Sequence, residues 1–212
     1  MTFLIALFGV GVVFISLSNF KDITVEHYPK LYEALGKNLI VEDIDTEIVK
    51  RHLQDLSDIP LQALRELKKS GYRIMVANKP VSGFPGMTGT ADIHPPGWGK
   101  GTTFQDLAGI FVRDTGTVYL GSGEWDIANL AIHEVAHAVD DNWRISESPE
   151  MQAYYRQYQG TDGTYQTDPE MANAVEEFFA GSSMQIFTGQ AQTYDNDYVD
   201  FVNEIFNRKS DW

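Results

Sequence analysis

Five residues carry the clearest chemistry in this 212-residue chain: His133-Glu134-Val135-Ala136-His137. On a helix, histidines at i and i+4 lie on one face, one turn apart, so both imidazoles can reach one ion. Glu134 falls beside that face, within reach of a water bound to the same metal. Two neutral imidazoles suit zinc, which keeps an open position for water and lowers its pKa to about 7. A carboxylate beside such a water is a general base for hydrolysis. The surroundings agree with this reading, because Leu130, Ile132, Val135, Ala136 and Val139 make the helix nearly apolar. The bland alternative, two buried histidines held by backbone hydrogen bonds, would need separate polar solutions for both rings and for the carboxylate between them.

A third ligand has to come from elsewhere. The chain has no cysteine, so the set is confined to His and carboxylate. No third His follows six residues on, where Trp143 stands, which excludes the metzincin pattern. A helix expected over 169–187 offers Glu170, Glu176 and Glu177. Glu177 has Asn173, Ala174, Ala180 and Gly181 at helical neighbour positions, a patch of small residues that lets a second helix approach with a carboxylate at the contact. Glu176 has Phe179 on its flank and reads as a rim residue, so Glu177 is favoured and Glu176 is the alternative. Asp140 and Asp141 lie at helical spacing from the histidines, where one could orient an imidazole. His94 is a lone loop histidine and is not expected to be a ligand.

The elements that must position these groups follow from periodicity and punctuation. Residues 21–58 carry weak helical stripes. Pro60 opens a helix that ends at Lys68-Lys69-Ser70-Gly71. Residues 72–77 read as a strand. Residues 79–103 hold four of the eight prolines and six of the eighteen glycines, and read as a long loop or linker. Two short strands, 109–113 and 117–121, flank the turn residues Asp114-Thr115-Gly116. The second of them is a candidate edge strand, to which an extended peptide could pair antiparallel. Helices are expected over 123–142, 149–158, 169–187 and 196–207. Strands precede the helices instead of alternating with them, so the class is α+β.

Composition supplies the outer bounds. The formal net charge is −14, which disfavours nucleic acid and anionic membrane surfaces as partners and suits a basic or neutral substrate. No charged side chain occurs before Lys21, and residues 3–15 are continuously apolar apart from glycine. Such a run fits a signal-peptide core, with Ser16-Leu17-Ser18 after it, or a short anchor. Residues 1–20 are therefore expected to be a signal peptide or an N-terminal membrane anchor, which implies a secreted or surface-anchored protein. The expected division is 1–20, a helical segment 21–58, and a main domain 59–212, acting as a monomer.

The combination HEVAHAVDD at 133–141 with EEFFA at 176–180 resembles the catalytic domain of anthrax lethal factor and its relatives, among them the secreted Pro-Pro endopeptidases. Gly97 to Thr102, Gly109-Ile110-Phe111 and Val118-Tyr119 are similar to the loop and strands ahead of the helix in that family. The resemblance implies a gluzincin-type zincin fold and a one-zinc endopeptidase acting on a protein or peptide substrate. It implies His133, His137 and Glu177 as ligands and Glu134 as general base. It also implies a tyrosine upstream of the ligand glutamate that stabilises the tetrahedral intermediate. Tyr165 is the nearest one; Tyr154, Tyr155 and Tyr158 lie farther upstream. The family includes copies of the fold that bind a partner and have lost the metal, so a non-catalytic, toxin-adaptor-like module is the alternative. In such copies the motif degenerates, and here it is intact.

Overall fold

The structure is a computed structural model; it describes residues 27–95, 101–124, 126–159 and 173–209. The leader or anchor at 1–20, the role of Tyr165, Glu170 with the start of the helix expected from 169, and Gly97 to Lys100 lie outside the described residues. No helix among the described residues is long and apolar enough to cross a membrane.

In chain order the elements are α1 (Pro29–Leu35), β1 (Leu39–Val41), α2 (Glu47–Asp58), α3 (Leu61–Lys69), β2 (Arg73–Val76), β3 (Gly109–Val112), β4 (Thr117–Leu120), α4 (Leu130–Trp143), α5 (Pro149–Tyr158), α6 (Ala174–Phe187) and α7 (Asn196–Asn207). The chain is α+β, as its sequence indicates. The four strands form one mixed sheet in the order β1-β2-β4-β3. β1 and β2 are parallel, β2 and β4 are parallel, and β3 and β4 form an antiparallel hairpin.

Strand alternation sorts side chains onto two faces. Leu39, Val41, Ile74, Val76, Val118 and Leu120 join the main core with the buried faces of the helices. Met75, Ala77 and Tyr119 face the other way, onto Val81, Phe84, Met87 and Leu107. The segment expected to be a loop or linker is thus a packed cover for the second face of the sheet. Residues 27–58 share the main core, through Leu31, Leu35, Val49 and Leu53, and supply β1, a three-residue strand that sequence periodicity does not reveal.

The sheet order corrects one expectation. β4 is not an edge strand: it pairs with β2 on one side and β3 on the other, and all four of its residues are buried. β3 is the edge. The hairpin turns the chain outward to make β3, and β2 takes the inner side of β4 by parallel pairing across 44 residues, which local sequence cannot signal.

α4 runs against β3, β4 and α2, and its most extensive helix contact is with α6. It is bracketed by two non-glycine residues in the left-handed region, Asn129 (φ 63°) and Arg144 (φ 54°). It starts at Leu130, later than expected, and Asp126, in the connection from β4, pairs with Arg51.

Candidate active site and metal centre

α4 is nearly wholly buried because it lies between the sheet and α6, and its apolar sequence suits that place. His133 and His137 project from the side of α4 that faces α6. Their Nε2 atoms are 3.1 Å apart, with the rings edge to face. Glu177, on the first turn of α6, meets both: Oε2 is 3.4 Å from His133 Nε2 and Oε1 is 3.6 Å from His137 Nε2. Asn173 donates to Glu177 Oε1 at 3.0 Å and so fixes the carboxylate from the end of the same helix. The small residues around Glu177 serve as expected, since Ala174, Ala180 and Gly181 are buried at this helix contact.

These residues fit a metal ion. Donors at about 2.0–2.1 Å from a tetrahedral centre stand roughly 3.4 Å from one another, and the three separations here bracket that value. Two imidazole Nε2 atoms this close cannot both be bare acceptors, so a proton or a cation must lie between them and the carboxylate. The electrostatics run the same way. Burial opposes charge on His137, but the hydrogen bond and charge of Glu177, with Glu134 and Glu176 nearby, carry it up to about 9. Burial alone would raise Glu177, yet both histidines hold it well below the usual carboxylate range. A divalent cation with neutral imidazoles would replace the proton that His137 shares with Glu177.

Glu134 is buried beside the two histidines. Burial pushes its carboxyl up, Glu177 pushes the same way, and His133 and His137 oppose. The backbone of Phe111, on β3, works against that rise. The hairpin explains why. Gly121 N–H donates to Ala108 C=O at 2.6 Å, and Ile110 pairs with Tyr119. In that register Gly109 and Phe111 turn their N–H and C=O groups to the open edge. Gly109 also lets β3 approach α4, since a Cβ there would lie 3.2 Å from Glu134 Cγ.

Glu176 does not join the cluster. It pairs with Arg113 at 3.1 Å, and Arg113 also holds Asp141 at 2.7 Å. Asp141 accepts from Tyr72 Oη at 2.7 Å, and Asp140 accepts from Ser146 N–H at 2.6 Å. Neither aspartate therefore takes the imidazole-orienting role considered for it. Arg113, which sequence reasoning passed over, ties the hairpin turn to α4 and α6. His94 Nδ1 bonds to Thr102 C=O at 2.7 Å, away from the cluster. Tyr154 stacks in an aromatic group with Tyr198 and Phe201, and Tyr155 and Tyr158 pack on Phe178. His133, His137 and Glu177 are, among the described residues, the group of three whose ligand atoms could hold a metal ion.

Comparison with known proteins places this geometry. Residues 25–196 match the family model described as anthrax toxin lethal factor, N- and C-terminal domain. Among solved structures, the Pro-Pro endopeptidase PPEP-2 from Paenibacillus alvei has a similar fold, with 21% identity, 82% of this chain and 96% of that chain covered, and a TM-score of 0.61. No curated protein matches the chain.

Proposed function

This chain belongs to the anthrax toxin lethal factor family, and from that premise we propose that it is a zinc-dependent endopeptidase. The observation that supports this best is the convergence of His133, His137 and Glu177 at metal-ligand spacing, with Glu134 one residue along the same helix. Zinc held by those three residues would supply a Lewis acid and an acidified water. Glu134 takes the proton of the attacking water and passes it to the leaving amine. Its burial raises its proton affinity and suits both halves of that transfer.

An extended peptide adds to the open edge of β3, where Gly109 and Phe111 present backbone groups, so register comes from the main chain. Tyr165 is assigned to the oxyanion on family resemblance alone. Residues 1–20 serve as a signal peptide or an anchor, which puts the enzyme outside the cell or on its outer face.

The test is cleavage profiling on a peptide library that includes Pro-Pro sequences, the preference named for PPEP-2, with and without a zinc chelator. Cleavage that stops with chelator and returns with zinc is the expected result. Its absence would overturn the reading and favour a partner-binding module.

A further inference from the structure

One guanidinium joins the three elements that build the site. Arg113 directly follows the last residue of β3. Its Nε lies 2.7 Å from Asp141 Oδ1, and a terminal nitrogen donates to Glu176 Oε2 at 3.1 Å. Asp141 is on α4, one turn beyond His137, and Glu176 is the residue before Glu177 on α6. Both ligand-bearing helices are therefore held by the same side chain. The second oxygen of Asp141 accepts from Tyr72 Oη at 2.7 Å, and the Tyr72 ring packs beside Phe111 of β3, with centroids 6.0 Å apart.

The first turn of α6 has need of such a tether. α6 starts at Ala174, and Glu177 N–H reaches back to Asn173 C=O at 3.0 Å. First-turn amides have no partner inside a helix, and helix ends open most readily. Successive helical residues point in different directions. Glu177 turns to the histidines, while Glu176 turns to the rim and meets Arg113. Holding Glu176 thus sets the rotation of the turn that carries Glu177. We propose that Arg113 is a positioning residue for the metal centre: by bridging Asp141 and Glu176 it holds the first turn of α6 against α4, so that Glu177 faces His133 and His137 before an ion arrives. Its effect on turnover rests on the endopeptidase reading above; the tether itself does not.

Charge alone predicts the opposite effect on the metal. A guanidinium near a cation site repels the ion, so loss of its charge should tighten zinc. Loss of a tether should loosen zinc, because the ion must then order the turn that it binds. The sign of the change separates a positioning role from a bystander charge. Global stability separates them as well. The Arg113 side chain is 58% exposed, and ion pairs as open as this add little to the stability of a whole fold.

The test uses the full chain with Arg113→Ala, Arg113→Lys, Glu176→Ala and, as a control, Arg65→Ala, which breaks an exposed pair with Glu33 at 2.8 Å. Zinc affinity is measured by chelator competition, amide hydrogen exchange over 177–180 on the metal-free chain, and stability by urea. Arg113→Ala should weaken zinc about 3–10-fold, less than the 10–100-fold of a partner that touches a ligand. It should speed exchange over 177–180 and leave the urea midpoint and α7 near wild type, as Arg65→Ala leaves all of these. Lysine keeps the charge but lacks the planar fork that spans two carboxylates, so Arg113→Lys should stay weakened. Glu176→Ala should cost zinc less in the Arg113→Ala background than alone, because the same contact is already gone. Zinc affinity at or above wild type in Arg113→Ala, or wild-type exchange over 177–180, would overturn the proposal. If Arg113→Ala does not fold, Arg113→Lys decides in its place. Failure of wild type to bind zinc would sink the endopeptidase reading, while the exchange measurement would still decide the tether.

Discussion

Replacing Gly109 by alanine tests whether the edge strand sets the position of Glu134. A Cβ at Gly109 would lie 3.0 Å from Leu130 Cδ2, 3.1 Å from Leu130 Cγ and 3.2 Å from Glu134 Cγ. Carbon pairs settle at about 3.5–4.0 Å, so the methyl intrudes by roughly half an ångström. The φ of Gly109 is not positive, so the cost is steric and not conformational. Leu130 can yield at its branched tip, but Glu134 sits on a buried helix and moves only if α4 or β3 moves with it. Overpacking of this kind costs about 1–3 kcal/mol. With a slope of ~2 kcal/mol/M, the urea midpoint should fall by about 0.5–1.5 M. A misplacement of about 1 Å costs roughly 100-fold in rate, so half of that predicts about a tenfold loss in kcat/KM. Zinc content should hold. The assay pairs urea unfolding with turnover of a chelator-sensitive peptide. Gly83→Ala is the control, since its Cβ would meet only the flexible Lys79 side chain at 3.5 Å. Wild-type stability and turnover in Gly109→Ala would refute the claim that β3 positions the base.

Three further outcomes are expected. Glu134→Gln should keep zinc, measured by metal analysis, and lose hydrolysis; retained turnover would remove Glu134 from the mechanism. Glu177→Ala should weaken zinc by more than about 100-fold, because even an outer partner is worth 10–100-fold; Glu176→Ala, which breaks only the half-exposed contact with Arg113, should cost far less, and the reverse ranking would reassign the ligand. Asp55→Asn should raise stability at pH 8 but not at pH 4. The folded carboxyl sits at about 6 against an unfolded value of about 3.9, so the folded state holds its proton more tightly and wild type loses stability as pH climbs from about 4 through 6. Asparagine escapes that loss, a gain of about 1–2 kcal/mol after allowing for screening, read from urea curves at the two pH values.

Much of the metal cluster was legible because its determinants are local. The i, i+4 spacing of His133 and His137 is a property of any helix, and the small neighbours of Glu177 mark a close helix contact whatever the partner. The sheet was less legible. β3 and β4 read alike as short apolar strands, and which of them is the edge depends on β2, paired with β4 across a long stretch of chain. β1, three residues beside a polar segment, leaves almost no pattern. The start of α4 was misplaced because Glu124 to Ala128 are compatible with a helix, yet Arg51 holds Asp126 in the connection instead. Asp140 and Asp141 had the right spacing for an outer role, but backbone and Tyr72–Arg113 contacts claimed them.

The mixed sheet also has a consequence for how the molecule assembles. Its strand pairs differ sharply in sequence separation. Val112 meets Thr117 within a hairpin, whereas Leu39 meets Ile74 and Ile74 meets Val118 only after long loops have closed. Local pairs form early, and distant parallel pairs are slow because chain entropy is lost before contacts return it. The hairpin that carries Gly109 and Phe111 should therefore form first, with β1, β2 and the more distant α6 joining later. The peptide-facing edge would exist before the cluster that acts on it, so a newly made chain passes through a stage with an exposed strand and no competent metal centre.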